Sequence, residues 1–461
     1  MSDKPDYLHD TIVAAATPAG AGGIGIVRIS GAGVPQIAGK MLGGLPPPRV
    51  ASLREFHDAA GEPIDTGLAL YFPAPGSFTG EPVLELHGHG GPVVMALVVD
   101  AAVSLGSRQA EPGEFSKRAF LNDKLDLAQA EAIADLIGSG TARAARAALR
   151  SLSGAFSAAV DALQEQLIRL RLHVEATLDF PEEEIDFLSD AQLAARIDDC
   201  DAAFEALGEG ARAGRLLRDG YQVVIVGRPN AGKSSLLNLL SGQEAAIVTE
   251  VAGTTRDILR EQIDADGLLV ELIDTAGLRD NPDQIEAEGI RRAREAIKSA
   301  DAVLWIQDAS AQENAKECAI ENESLAELGE DLPANVPVIT VRNKIDLTDA
   351  NPGLQHEQPL TLNISAKTGV GTDVLRQQML KLAGHKDLGE GAFTARRRHI
   401  DALGRAEAHF RAGRNALEEA KAGELLAEEL RLAQQALGEI TGSFTSDDLL
   451  GKIFSEFCIG K

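Results

Sequence analysis

The chain is short of the residues that staple small secreted or metal-held domains. Its 461 residues include three cysteines, Cys200, Cys318 and Cys458, too few and too scattered for a disulfide framework or a structural zinc site. A basic balance is also missing. There are 44 Lys and Arg against 70 Asp and Glu, a formal charge of −26. That excludes a broad surface that coats nucleic acid, so any RNA contact must use a local patch or be shared with a partner. Arg396-Arg397-Arg398-His399 is one such patch, and the same run also reads as a solvated helix start. No run of 18 apolar residues occurs, which excludes a helical membrane span. The start, Met1-Ser2-Asp3-Lys4-Pro5-Asp6, lacks the apolar stretch of a signal peptide. A cytoplasmic protein without membrane contact is the expectation, and the length suggests about three domains.

What is present changes in texture along the chain. Residues 1–122 are rich in Gly and Pro with short β-like runs, such as Gly25-Ile26-Val27-Arg28-Ile29 and Val83-Leu84-Glu85-Leu86-His87. They read as an α+β domain. Residues 123–219 turn to Ala, Leu, Arg and Glu at helical spacing, and that texture returns over 384–461. Between them, residues 220–383 read as an α/β domain with a mostly parallel sheet. The simplest organisation is one helical domain interrupted by the α/β domain. Two separate helical domains remain open at this stage.

The α/β segment opens with Val223-Val224-Ile225-Val226-Gly227-Arg228-Pro229-Asn230-Ala231-Gly232-Lys233-Ser234-Ser235. This is a strand, a G-x-x-x-x-G-K-S loop and then an apolar helix start, the context of a phosphate-cradling P-loop. Glycines let backbone N–H groups approach phosphate, Lys233 would reach the β- and γ-phosphates, and Ser234 would hold Mg²⁺. The helix that follows points its positive end at the anion.

Asn343-Lys344-Ile345-Asp346 follows a second apolar run, and Ser365-Ala366-Lys367 follows a third. A carboxylate at the place of Asp346 can accept from the ring N–H and the amino group of guanine. Adenine lacks that donor pair, so ATP would leave polar groups unpaired. Ser365-Ala366-Lys367 supplies the second clamp on the base. In order behind a P-loop, these segments predict GTP as the substrate. Asp274-Thr275-Ala276-Gly277 places Asp274 behind Mg²⁺ and the Gly277 N–H at the γ-phosphate. Thr249-Glu250-Val251-Ala252-Gly253-Thr254-Thr255 would wrap the nucleotide, and Thr255 would complete the Mg²⁺ shell. Loops held by the γ-phosphate in this way act as a switch.

The position after Gly277 is Leu278, where Ras-type enzymes carry the Gln that orients water. Another group must do that work. Glu286 and Glu288 are equal candidates by spacing, and each also reads as a solvated helix-start acid. Asn230 could support a monovalent cation or make a local turn hydrogen bond. Arg256 and Arg279 are candidate arginine fingers, or structural arginines.

Three further places narrow the reading. The first part of the chain carries Gly22-Gly23-Ile24-Gly25-Ile26-Val27-Arg28-Ile29-Ser30-Gly31, Ser77-Phe78-Thr79-Gly80-Glu81, His87-Gly88-His89-Gly90-Gly91 and Pro112-Gly113-Glu114-Phe115-Ser116-Lys117-Arg118. The P-loop reads Gly-Arg-Pro-Asn-Ala-Gly-Lys-Ser-Ser with Ala252-Gly253-Thr254-Thr255-Arg256-Asp257 downstream. The end is Phe457-Cys458-Ile459-Gly460-Lys461. Over its full length the chain resembles the MnmE (TrmE) family of tRNA-modification GTPases.

That resemblance implies an N-terminal domain that binds folate and dimerises, then a helical domain with the GTPase domain inserted. It implies a homodimer working with an FAD-dependent MnmG-type partner on carbon 5 of the wobble uridine of certain tRNAs. The one-carbon unit would come from 5-formyl-tetrahydrofolate or a related folate, and FAD would sit only on the partner. GTP hydrolysis would be K⁺-stimulated and accompany dimerisation of the GTPase domains. By position, Asn230, Thr249, Val251 and Thr254 look like K⁺ ligands, and Ser234 and Thr255 like Mg²⁺ ligands. Glu286 matches the water-orienting glutamate. Arg28, Glu85, Lys124 and Lys461 match folate-contacting positions, and Cys458 matches a near-terminal cysteine. The competing reading is a ribosome-associated assembly GTPase of the Era or Der kind, which lacks the first domain and the Phe-Cys-Ile-Gly-Lys tail.

Overall fold

The computed structural model describes residues 10–179, 191–228, 230–243, 259–265, 268–274, 300–310, 336–383, 392–443, 447–455, 457 and 460. The chain divides into two compact units. One comprises Met1–Ala134, Ser151–Phe204 and Asp401–Lys461, and the other Asp135–Arg150 and Glu205–Ile400.

The first unit holds a six-stranded sheet of β1 (Ile12–Ala15), β2 (Gly22–Ser30), β3 (Ser52–His57), β4 (Pro63–Phe72), β5 (Val83–Gly90) and β6 (Arg108–Gln109), ordered β3-β4-β5-β2-β1-β6. Neighbours are antiparallel except β1 and β6. Side chains alternate between faces along a strand. Val27, Ile29, Leu84 and Leu86 fill one face, in a core shared with Val34 and Ile37 of α1 (Val34–Met41) and Val98 of α2 (Pro92–Ser104). The residues between them, Arg28 and Glu85, therefore fall on the other face, and the register sets them directly opposite each other.

Helices complete this unit. The helix Ala155–Asp179 lies against the helix Gly423–Thr441, where Arg171 Nη1 donates to Gln434 Oε1 at 2.8 Å. The rings of Phe204 and Phe410 lie 5.3 Å apart. Helical segments from before and after the second sheet thus pack within this unit. The helix Asp447–Ser455 docks through Leu450, Ile453 and Phe454 on Leu127 and Ala130. Beyond it the chain reaches β1, where a Cβ on Gly460 would lie 2.2 Å from the Ala15 carbonyl oxygen.

The second unit holds seven strands: β7 (Tyr221–Gly227), β8 (Leu259–Ala265), β9 (Leu268–Asp274), β10 (Ala302–Asp308), β11 (Val338–Asn343), β12 (Gly353–Glu357) and β13 (Leu360–Asn363). Their order is β12-β13-β11-β10-β7-β9-β8, parallel from β13 to β9 with an antiparallel strand at each edge. Central parallel strands are covered on both faces and so read as continuous apolar runs. Val223–Val226 and Ala302–Ile306 are buried throughout. Ligands of such sheets bind outside the carboxyl ends of the strands, and β7, β10 and β11 present theirs together. No helix among the described residues is long and apolar enough to cross a membrane.

Candidate functional site

The loop after β7 is shaped by backbone conformations that favour glycine. Gly232 has φ of 95°, and a Cβ there would fall 2.2 Å from Asn343 Nδ2. Only a residue without a side chain lets the loop pass so close. Asn230 takes a left-handed φ of 65°, a conformation asparagine tolerates, and its side chain is exposed. Lys233 is 7% exposed, and its Nζ donates to the carbonyls of Gly227 at 2.7 Å and Arg228 at 2.8 Å. A phosphate would compete with these two carbonyls for the ammonium. Ser234 and Ser235 stand exposed in the first turn of the helix Lys233–Gln243, with Ala231 buried just before it.

The base side is organised by Asn343, which is 2% exposed. Its Nδ2 donates to the Ala231 carbonyl at 2.9 Å, and its Oδ1 accepts the Ala366 N–H at 2.8 Å. One side chain therefore ties the phosphate loop to the Ser365-Ala366-Lys367 loop. Lys344 adopts φ of 67° and donates to Asp308 Oδ2 at 2.6 Å. Burial alone would raise the Asp308 carboxyl; the hydrogen bonds from Lys344 and Ser310 outweigh it and hold the group below its usual value. Asp346 sits exposed on the turn Ile345–Leu347, with Oδ1 accepting from Ser365 Oγ at 2.6 Å. Ser365 and Ala366 are buried and Lys367 faces outward. The structure thus gathers Asn230 to Ser235, Asn343, Lys344, Asp346 and Ser365 to Lys367 at one edge of the sheet.

Two roles here escaped the sequence. Asn343 links two loops. Asp308, paired in register with Asn343, fixes Lys344. The only available signal was an acid closing an apolar strand. Asp274 ends β9, where its backbone pairs with Ile225. Thr249 to Thr255, Arg256, Thr275 to Gly277, Arg279, Glu286, Glu288, Cys458 and Lys461 lie outside the described residues. Cys200 is buried, and burial followed by the nearby Asp199 and Asp201 pushes its thiol up to about 12, which leaves it inert at neutral pH.

A second cluster lies on the outer face of the first sheet. Arg28 Nε donates to Glu85 Oε1 at 2.9 Å, and Glu85 Oε2 lies 3.3 Å from His87 Nε2. The guanidinium stands 5.5 Å from the Phe78 ring centroid and 5.7 Å from that of Phe115. Those rings come from a loop and from the helix Glu114–Leu121; buried Arg118 of that helix reaches Glu81 of the loop at 3.2 Å and pairs along its own helix with Glu114 at 3.0 Å. Lys124 Nζ donates to the Pro75 carbonyl at 3.0 Å, and its stem flanks Gly80, next but one to Phe78. A cation, a carboxylate and the part-exposed Phe78 ring together can receive a heterocycle that carries amino donors and carboxylates, while Phe115, 0% exposed, backs the guanidinium from within.

Two family models match the chain: the MnmE helical domain over residues 127–458 and the GTP-binding protein TrmE N-terminus over residues 11–124. The chain belongs to the MnmE/TrmE family. As a member of that family with a P-loop site, it is a GTP hydrolase of the tRNA-modification type. The MnmE/TrmE architecture accounts for the α+β first domain and for a GTPase domain set within a helical one.

Among solved structures, the chain is similar to a GTP-binding protein from the hyperthermophilic archaeon Sulfolobus solfataricus in complex with GDP. The identity is 20% over 49% of this chain and 68% of that one, with a TM-score of 0.28. It is similar to the G domain of the T. maritima FeoB iron transporter at 23% identity, over 35% of this chain and 98% of that one, with a TM-score of 0.27. It is also similar to Aquifex aeolicus Era bound to GDP and aluminium fluoride, at 24% identity over 42% and 67%, with a TM-score of 0.26. The family membership rests on the two family models.

Of the basic run Arg396 to His399, the structure turns two residues inward. Arg396 is 8% exposed and donates Nη2 to Asp135 at 2.8 Å. His399 is 3% exposed and accepts the Arg396 N–H on Nδ1. The run is in large part a helix-start brace, because a buried carboxylate and a backbone N–H claim its polar groups.

Proposed function

We propose that this MnmE/TrmE family member is a K⁺-stimulated GTPase. With an FAD-dependent MnmG-type partner, it modifies carbon 5 of the wobble uridine of certain tRNAs in the cytoplasm. The observation that carries the GTPase half is Asn343 joining Ala231 to Ala366, which pre-assembles the phosphate and base sides of one site. Asp346, held by Ser365, offers its carboxylate to guanine. Lys233 leaves the two loop carbonyls for the β- and γ-phosphates. Catalysis of this kind is positioning plus neutralisation of charge spread over the transferring phosphoryl group.

Ser234, exposed at the start of its helix, fits a Mg²⁺ ligand, and Thr255 is proposed as the second. Asn230, exposed on the loop, fits one oxygen ligand of a K⁺ ion, with Thr249, Val251 and Thr254 proposed for the rest. When bound, the two cations supply positive charge beside the phosphates. Glu286 is proposed to orient the attacking water, which Leu278 cannot do.

Arg28, Glu85, the Phe78 ring and Lys124 fit a reduced folate such as 5-formyl-tetrahydrofolate. Glu85 can accept from pterin amino and ring N–H groups, and the cations suit the folate carboxylates. Lys461 and Cys458 are proposed as further members of that site. A homodimer joined through the first domain, with paired GTPase domains, completes the reading.

The test is GTP turnover by the full chain in KCl against NaCl at matched ionic strength, followed by tRNA modification with the partner. Strong K⁺ stimulation and an absolute need for the folate support the reading. Equal rates in both salts would return Arg256 and Arg279 as the groups that neutralise the phosphates.

A further inference from the structure

The run from Leu136 to Val160 contains no Asp or Glu, in a chain with 70 of them. Its charged residues are Arg143, Arg146 and Arg150. They lie on the helix Ala142–Leu152, spaced by three and four residues, which places them along one stripe. The alanines of this helix turn inward: Ala144, Ala147 and Ala148 are at most 3% exposed. Ala147 joins the core cluster that contains Leu217, with Ala213, Leu216 and Ala392 packed against it. The helix is therefore fixed by its alanine face, with Arg146 exposed to solvent and Arg143 and Arg150 at the flank of the buried side.

The three arginines differ in what holds them. Arg150 Nε donates to the Ala392 carbonyl at 2.6 Å, which pins the end of the helix. Arg146 is exposed and Arg143 half-buried, and neither enters an ion pair among the described residues. Leu149 stands 53% exposed beside them. The nearest acid before the helix, Asp135, is 5% exposed at its side chain and already lies under Arg218 Nε and Arg396 Nη2, each at 2.8 Å. No acid of the stretch offsets the guanidiniums of exposed Arg146 and half-buried Arg143.

We propose that this arginine stripe, with Arg143 and Arg146 as the contacting groups, receives the phosphate backbone of the RNA substrate. The inference rests on the tRNA-modification reading above. Guanidinium forks match phosphate oxygens, and contacts of this kind position a nucleic acid without reading its sequence. The rest of the molecule argues for a local foothold. A chain of charge −26 repels a polyanion at long range, so an acid-free stretch is where phosphate can approach. The run Arg396 to His399 cannot serve alone, since Arg396 and His399 are buried.

The experiment measures binding of labelled tRNA to the full chain across a salt series. It compares wild type, Arg143→Glu/Arg146→Glu and Arg143→Lys/Arg146→Lys. Losing two phosphate contacts should weaken binding by roughly tenfold or more at low salt and flatten the slope of log affinity against log salt by about 1.5. The lysine variant should keep most of the affinity, and both variants should keep wild-type basal GTP turnover, which shows that they are folded. A charge-reversed variant that binds tRNA like wild type, with the same salt slope, overturns the inference and leaves the tRNA reading standing. So does a defect confined to self-association in sedimentation, which would make the stripe a protein contact. A wild-type chain that neither binds nor modifies tRNA overturns both.

Discussion

Asn343 donates its side-chain amide to the carbonyl oxygen of Ala231 across 2.9 Å, and the two residues are 112 positions apart. This bond makes the phosphate loop and the base loop one object. Replacing Asn343 by Ala leaves the Ala231 carbonyl and the Ala366 N–H without this partner in a buried place. Each such loss costs about 1–3 kcal/mol. Asn343→Ala should lower the melting temperature of the GTPase unit and weaken GTP binding by roughly ten- to a hundredfold. Calorimetry and a nucleotide titration check both. A variant with loosened GTP binding and an unchanged melt would show that the bridge acts on the ligand alone.

The carboxylate of Asp346, braced by Ser365 Oγ at 2.6 Å, is the group assigned to guanine. Asp346→Asn exchanges an acceptor for a donor at one oxygen. A base with a carbonyl in place of the guanine amino group then becomes the better fit. GTP affinity should fall by about a hundredfold or more, and xanthosine triphosphate should gain, since unpaired polar groups drive such discrimination. Competition between the two nucleotides in a turnover assay gives the ratio. Retained preference for GTP would move base recognition elsewhere.

Local patterns carried much of this in the sequence. The alternation of β2 shows that Arg28 faces away from Val27 and Ile29, and the glycines of the P-loop announce a backbone that must pass close to something. What the pattern cannot hold is register and reach. Glu85 opposes Arg28 because β2 and β5 pair in one register out of several, and 57 residues separate the two. Arg396 reads as a surface residue by its neighbours in sequence, yet Asp135 draws it inward from 261 residues away. Asn343 has two jobs for the same reason: its second partner is set by how the strands stack, which no window of sequence contains.

The Arg28 and Glu85 pair makes a prediction for the first domain. Glu85→Gln keeps the shape and removes the charge that holds the guanidinium and faces the proposed pterin. Binding of 5-formyl-tetrahydrofolate should weaken by about tenfold, the worth of one charge-assisted hydrogen bond. GTP turnover should stay at the wild-type rate, because the pair belongs to the other compact unit. Isothermal titration with the folate, run beside a turnover assay, separates the two effects. Unchanged folate binding would remove Glu85 from the site.

Glu114 gives the acid limb of stability. Burial alone would raise its carboxyl, but Arg108, the Glu111 N–H and Arg118 outweigh it and hold the group below its ordinary value of 4.5. A carboxyl whose folded value is depressed stabilises the fold above its unfolded value. That contribution fades as pH drops from near 4.5 down through the folded value. Glu114→Gln takes one of two carboxylates from fully buried Arg118; among the described residues Glu81 is the other. Breaking one side of a buried ion pair costs about 3 kcal/mol or more. The variant should melt well below wild type at pH 7, and the gap should narrow below pH 4.5 as wild type loses the contribution the variant never had. Melts of both proteins between pH 7 and pH 3 give the two curves. Curves that stay parallel throughout would mean the Glu114 charge plays no part in holding Arg118.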